Sequence, residues 1–527
     1  MNYKLLFNTL IHLRPTQVFY QVYYRLHKPK YVAMEAPLVG ESPAGLKTEP
    51  IARWTCIEGK AFTFLNLKHE FAGWNFTENG MLWAYNLNYM DWLNQEGICK
   101  EDCCYWIDKF IEDVLHKDVS STTRSSSARL LPTGRKNLTN YTNNSYQVGL
   151  DPYPIALRSI NWVKVLMRWP DCATKERRDS LYSQLRSLER KLEYHLLANH
   201  LLEDAYALYI GAVYFGDKRL LKKSQKLLLG QLEEQMLPDG GHYEQSVMYH
   251  CIMLDRLLDC INISCHTDRT DLTDLTDILS AYAERMLGHL ESVVWEDGSI
   301  PMVNDAAYGI APTPDQIFDY ARRLGLKWET IPMKECGYRK MANAHMESFV
   351  DVGNITATYQ PGHTHADTFN YELRIDGKPF VVDTGISTYN KTERRQYERG
   401  TMAHNCVVVD SQNSSEVWGG FRVGKRCHTD LTDLTDNVIV ASHNGFPKSC
   451  KRRFEMKEDA FVVEDWYDGE AVSYIHLAEG ADEKCIAVEG ATSIEIKEER
   501  YSTEYNRFRP CKVMAIHFKG KLRYSFS

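Results

Sequence analysis

Residues 348–360 read SFVDVGNITATYQ, and residues 369–385 read FNYELRIDGKPFVVDTG. Both mix apolar and polar residues in near alternation and are rich in β-branched and aromatic side chains. That is the pattern of half-buried strands, whose successive side chains point to opposite faces. Ile375-Asp376-Gly377-Lys378 lies inside the second stretch. Its central Asp-Gly accepts the positive φ angles of a tight hairpin turn. NCVVVDSQ (405–412), NVIVASH (437–443), AFVVEDWYD (460–468), SIEIKE (493–498) and CKVMAIHF (511–518) continue the pattern. Gly, Asn and Asp punctuate them. Many short strands without intervening helices predict an antiparallel β-sandwich over 345–527.

Upstream the period changes. MLWAYNLNYMDWLNQ (81–95), DPYPIALRSINWVKVLMRW (151–169), RDSLYSQLRSLERKLEYHLL (178–197), HLLEDAYALYIGAVYF (200–215), RLLKKSQKLLLGQLEEQM (219–236) and MYHCIMLDRLLDCINIS (248–264) carry apolar residues at three- and four-residue spacing. That is the stripe of amphipathic helices. Short turns between them imply antiparallel hairpins stacked in a bundle, solenoid or toroid, and periodicity does not choose among the three. The helical run is assigned to 81–340. Residues 1–80 are read as two short helices, the Pro/Gly-containing link PLVGESPAGLKTEP (37–50) and a hairpin around AFTFLNLKHEF (61–71). The whole is an α+β multidomain chain.

Composition narrows the function classes. A chain of 527 residues with 44% apolar and 25% charged residues is globular and too long for one ordinary domain. A net charge of −8 does not suit a general nucleic-acid binder. The 31 Tyr and 11 Trp offer flat apolar faces with polar edges, as sugar-binding clefts require. Fourteen Cys form no regular framework, and Cys103 and Cys104 are adjacent, which points to a reducing compartment. No apolar run is long enough to span a membrane, and no export signal is read at the N-terminus. A cytoplasmic location is the expectation, with a membrane-surface role for the opening helices left open. One phrase, TDLTDLTD, occurs twice, at 270–277 in the helical part and 429–436 in the strand part. It is therefore no repeat of one fold, and a solvated surface element is expected in both places.

Three segments carry chemistry. In PGHTHADTF, His363 and His365 are two apart on one strand face. Asp383 ends the next apolar strand and His404 starts another. Two His and one Asp on neighbouring strands can converge on one divalent ion such as zinc, or can simply bond to turns. In LLANHLLEDAYAL, His200 and Glu203 share a helical face, and Asn199 is either functional or a helix N-cap. In LPDGGHYEQSVMYH, Tyr249 opens a helix after an Asp-Gly-Gly turn. It can serve as an acid or base if nearby charge lowers its pKa from about 10, or it can be a packed core Tyr. Tyr243, six residues earlier, has the same chemistry. Lys391, Arg394, Arg395 and Arg399 form a basic cluster that either binds an acidic glycan or is a solvated loop.

Taken in order, LWAYNLNYMDWL, DPYPIALRSINWVKVL, NHLLED, LPDGGHYEQSVMYH, WEDGSIPMVNDAAY and the HTHAD…VVDTG…AHN series resemble the heparinase II/III family and related alginate lyases. The resemblance implies an incomplete α/α toroid followed by an antiparallel β-sandwich, and a polysaccharide lyase acting on an acidic, uronate-containing substrate. It implies that Asn199 and His200 neutralise the uronate carboxylate, that Tyr249 is the acid or base, and that His363 is its partner. It further gives Tyr389 a supporting place, has Glu203 orient His200 or a sugar hydroxyl, and gives His365, Asp383 and His404 one structural divalent ion, zinc by donor type; Arg399 of the basic cluster is taken, on its charge, as a substrate contact. The chemistry fits these residue types. β-Elimination removes the C5 proton beside a carboxylate, so donors on that carboxylate spread developing charge, and a Tyr–His pair moves the two protons. Glycoside hydrolysis would instead need two flanking carboxylates. Two other readings stay open: a glycan-binding or capsule-assembly protein with the same fold, and a metal-dependent glycan hydrolase. The particular uronate and the oligomeric state are not legible.

Overall fold

The computed structural model describes residues 3–27, 31–37, 46–116, 147–264 and 273–527. Helices run from Met81–Tyr89 to Pro314–Leu324, and strands of one large sheet begin with Tyr338–Ala342. Helices followed by antiparallel strands make this an α+β multidomain fold, as the two sequence periods predict. Among the described residues no helix is long and apolar enough to cross a membrane. By contacts the chain divides into two compact units. One comprises 16–231 and 259–276; the other comprises 1–15, 232–258 and 277–527.

The first unit is mainly helical. Pro152–Arg168 and Ala198–Phe215 are buried along almost their whole length. Such all-round burial explains why their apolar pattern is broad rather than a narrow stripe. Inside, the Arg158 guanidinium donates to Gln184 Oε1 at 2.7 Å and to the carbonyls of Asn88 and Gly149 at 3.0 and 2.7 Å. The predicted hairpin near residue 65 is present, with Ala61–Phe64 paired to Leu67–Glu70. Leu65 and Asn66 take φ of 55° and 60° at its tip, as a two-residue turn requires.

The second unit is built on an antiparallel sheet. Phe461–Leu477 lies at its centre, paired with Cys450–Met456 on one side and Arg507–Phe526 on the other. Beyond its end, Lys378–Val381, Tyr371–Ile375, Met346–Asp351 and Tyr338–Ala342 continue the sheet. Ile375 pairs with Lys378 around Asp376 and Gly377, at φ 49° and 73°. Val350, Leu373, Phe454, Phe461, Ile475 and Phe526 are among the side chains of its core. Arg452 is buried there against Asp465, with N–O contacts of 2.6 and 2.8 Å, and it also donates to the carbonyls of Phe369 and Asn405.

The two TDLTDLTD copies differ in conformation. Thr429–Leu434 is an exposed strand at the sheet edge, paired with Val438–His443. In the other copy the first three residues lie outside the described residues, and Thr273–Asp277 opens the helix Thr273–Val293.

Candidate active site

The turn Asp239-Gly240-Gly241 precedes the helix Val247–Ser264. Gly240 has φ +82°, and a Cβ there would meet the Arg285 carbonyl oxygen at 2.3 Å. Ser246 Oγ accepts from the Tyr249 N–H at 3.3 Å, capping the helix, and its hydroxyl donates to the Asp305 carbonyl at 2.6 Å. Tyr249 is thereby fixed in the first helical turn, beside the irregular segment that carries Asp305.

Four side chains meet there. The Tyr249 ring stacks on the His363 imidazole, with centroids 3.9 Å apart and planes 30° apart. Tyr389 Oη lies 3.3 Å from Tyr249 Oη and 3.3 Å from His363 Nδ1. Asp305 Oδ2 lies 2.9 Å from His363 Nδ1. Tyr249, His363 and Tyr389 are partly exposed, whereas Asp305 is fully buried. Both Asp305 oxygens face the Arg395 guanidinium, and Oδ1 is also 2.9 Å from His365 Nε2.

This network sets the proton positions. Burial, the largest influence on Asp305, opposes its ionisation. Arg395 and the two imidazoles outweigh it and hold the carboxyl well below the usual range. An ionised Asp305 only accepts, so His363 presents Nδ1–H to it, while its Nε2 lies 3.9 Å from Glu244 Oε2. His365 presents Nε2–H and keeps a bare Nδ1. Burial pushes His365 down to about 3, so it is neutral at ordinary pH. Burial also raises the Tyr249 hydroxyl far above the ordinary phenol value, against the opposing pull of the Tyr389 hydrogen bond and Arg395. Tyr249 is therefore a phenol at neutral pH, and not a phenolate.

The expected metal residues adjoin this group. His404 Nδ1 lies 2.7 Å from Asp383 Oδ2, and the His365 and His404 ring centroids are 5.3 Å apart. Among the described residues, His365 Nδ1 is buried without a hydrogen-bond partner and His404 Nε2 is buried without a close one, which suits ring nitrogens that bind a metal ion. Asp383 is different. Its Oδ2 also accepts from Asn370 Nδ2 at 2.6 Å, and its Oδ1 accepts from the Gly385 N–H at 2.7 Å. Through its Oδ2 contact it orients His404. Among the described residues, the group of three whose ligand atoms all lie within 4.8 Å of one another is a different one, the buried set Asp239, His289 and Cys336.

The comparisons with known proteins follow the same order as the motifs. Residues 180–318 match the family model "Heparinase II/III N-terminus", and residues 326–526 match "Heparinase II/III-like, C-terminal". This chain belongs to the heparinase II/III-like family. It is 22% identical to the heparin-sulfate lyase of Pedobacter heparinus over 241 residues. That match covers 41% of the heparinase II/III-like chain and 36% of the relative, so it spans about a third of the relative's length. Two solved structures are similar in fold across 97% of the chain. One is a heparinase III gene product (TM-score 0.57, 15% identical, 87% of that chain covered). The other is the heparan sulfate lyase HepC of Pedobacter heparinus (TM-score 0.52, 14% identical, 88% covered).

Asn199 and His200 belong to the helical unit, in the first turn of Ala198–Phe215. The helix is capped by Leu197, at φ 63°, so Asn199 is not the N-cap. Glu203 was expected to orient His200 or to reach a sugar. Instead Glu193 Oε2 meets His200 Nδ1 at 3.0 Å, and Glu203 is fully buried. The chain bends back before the helix, which brings the residue seven positions earlier to the ring.

Arg399 also departs from expectation. It was expected to contact the substrate in a basic cluster, but it is buried and donates to the carbonyl of Thr364 at 2.7 Å. Arg395 is buried against Asp305. Both guanidiniums cross-link loops of the protein. Tyr243 is buried, with its hydroxyl 2.7 Å from the Tyr359 hydroxyl.

Sequence reasoning missed Asp305, which lies within WEDGSIPMVNDAAY. Its segment has neither helical nor strand period, and its partners are 58 to 90 residues away. The signal that could have found it is an acidic residue set between Asn304 and Ala306 in an irregular stretch that the resemblance already covered.

Proposed function

We propose that this chain is a polysaccharide lyase that cleaves an acidic, uronate-containing polysaccharide by β-elimination. The observation that carries the reading is the partly exposed Tyr249–His363 pair with Asp305 behind the imidazole. Elimination needs one group to take the C5 proton and another to protonate the leaving C4 oxygen. A phenol kept protonated suits the second task, and an imidazole with Nε2 unprotonated suits the first. In this reading His363 Nε2 accepts the C5 proton while Tyr249 gives its proton to the C4 oxygen. The C4–O bond breaks as the C4–C5 double bond forms. Tyr389, 3.3 Å from both groups, offers a path for a proton to return from His363 Nδ1 to Tyr249.

Asn199 and His200 are assigned the uronate carboxylate on the family resemblance. Donors aimed at developing charge contribute roughly 3–4 kcal/mol each. The relatives named for heparin and heparan sulfate make a glycosaminoglycan of that class the substrate to try first. A divalent ion, zinc by donor type, is assigned to His365 and His404, with Asp383 orienting His404. It would supply rigidity where the sheet meets the active loop, and no proton passes through it.

The test is ultraviolet absorbance of the unsaturated uronate, with purified protein against heparan sulfate, heparin, hyaluronan, chondroitin and alginate. A rise with wild type that Tyr249→Phe abolishes supports elimination. A saturated product would favour hydrolysis. Glycan binding without turnover would favour the assembly-protein reading.

A further inference from the structure

The opening helices are mounted with their apolar faces outward. In α1 (Tyr3–Leu10), Asn8 Nδ2 donates to Glu416 Oε2 at 2.9 Å, and Thr9 Oγ1 accepts from Trp418 Nε1 at 3.0 Å. Tyr3, Phe7 and Leu10, with Ile11 just beyond, lie on the other side and are 77%, 64%, 49% and 58% exposed. In α2 (Pro15–Leu26), Gln17 Nε2 donates to the Leu196 carbonyl at 3.2 Å and Tyr24 Oη to the Leu192 carbonyl at 2.7 Å, while the Tyr20 ring stacks on Tyr194 at 4.7 Å. That leaves Val18, Phe19, Val22, Tyr23 and Leu26 facing solvent, with Phe19 and Leu26 61% and 74% exposed. Their spacing of one, three, one and three residues is a single helical stripe.

Scattered exposed apolar residues are ordinary. Two successive helices that are each tied down by polar contacts on one side and expose an aliphatic and aromatic stripe on the other are not. The docking contacts are specific hydrogen bonds and a ring stack, so the outward orientation is built in. Charge identifies the occupant. The chain has a net charge of −8, yet residues 1–34 hold five Lys or Arg and no Asp or Glu. Lys4 and Arg25, on the helices themselves, are exposed. An apolar stripe with aromatic rings and exposed basic residues on the same helices, Lys4 and Arg25, is the chemistry of a helix lying in the interface of an anionic bilayer.

We propose that the outward stripes of α1 and α2, each on its own unit, bind the surface of an anionic phospholipid membrane without crossing it. The full chain is floated with vesicles of phosphatidylglycerol mixed with phosphatidylcholine, and with vesicles of phosphatidylcholine alone. It should float with the first, weakly or not at all with the second, and less as salt is raised. Phe19→Gln/Val22→Gln/Leu26→Gln should abolish flotation by at least tenfold. These positions are exposed, and Gln is a good helix former, so circular dichroism and thermal melting should match wild type. Lys4→Gln and Arg25→Gln should each weaken binding by about fivefold. Failure of wild type to float with anionic vesicles would overturn the proposal. Concentration-dependent self-association that the triple variant abolishes, with vesicles ignored, would assign the face to a second copy of the chain instead. Lyase activity on soluble substrate reports separately on the function proposed above.

Discussion

The Tyr249 phenol and the His363 imidazole lie face to face, 3.9 Å between ring centroids. Neither ring can move far without losing a second contact. Tyr249 is tied to Tyr389 at 3.3 Å, and His363 is tied to Asp305 at 2.9 Å. Reactive groups held in this way act in a fixed orientation, which is where much of the catalytic advantage of a preorganised site lies.

Tyr249→Phe removes the hydroxyl but keeps the ring stack. It should lower kcat by about 10²–10⁴-fold, the range for a positioned proton donor. Glycan affinity and melting temperature should change little. Steady-state kinetics beside a binding titration check this, and an unchanged kcat would exclude Tyr249 as the acid.

Asp305→Asn keeps the shape and removes the charge. It should lower kcat, because an amide no longer fixes the His363 tautomer, and shift the acidic limb of the pH–rate profile. It also leaves Arg395 buried without its counter-ion, a change of the kind that costs about 3–5 kcal/mol. Unfolding in urea separates the two effects. A stability loss with a normal pH profile per folded molecule would make Asp305 structural only.

Stability should fall as pH drops below neutrality. Burial, reinforced by Arg452, holds His443 down to about 3, and burial also leads in holding His476 to about 3. In the unfolded chain a His titrates near 6.5, so between about 6.5 and 3 the unfolded state binds protons that the folded state does not. The stability is complete above about 6.5 and declines toward 3, by up to about 1.4 kcal/mol per pH unit for each such His. His443→Asn keeps an acceptor for the Gly445 N–H, which His443 Nδ1 accepts at 3.1 Å. It should make the slope of stability against pH shallower by about one proton, and a slope equal to wild type would rule out His443 as a contributor.

Purified protein should carry one zinc per chain that a strong chelator removes with a fall in melting temperature. His365→Ala and His404→Ala should lose it, and Cys336→Ser should keep it. The reverse result, read by elemental analysis, would move the ion to Asp239, His289 and Cys336.

Much of this was legible in the linear sequence because it depends on near neighbours. The turn at Asp376-Gly377 follows from which residues tolerate positive φ. The helical and strand halves follow from periods of 3.6 and 2 in apolar residues. The ordered motifs singled out Tyr249, His363 and Tyr389, which the fold brings within contact of one another. Asp305, the buried role of Arg395 and the pairing of Glu193 with His200 were not legible. Each depends on a hydrogen-bond partner supplied by the folded chain, and no local pattern encodes it.

The repeated TDLTD phrase separates the two kinds of information. The sequence alone determined that it is polar and alternates little, so neither conformation is excluded. Tertiary structure decided the rest. At 273–277 it opens a helix whose Leu275 and following Leu279, Ala283 and Met286 are buried. At 429–433 its backbone pairs with the strand Val438–His443, and its side chains are mostly exposed. Five identical residues form a helix in one place and a strand in the other because intrinsic preferences of well under 1 kcal/mol per residue yield to backbone pairing and apolar burial supplied by the surroundings.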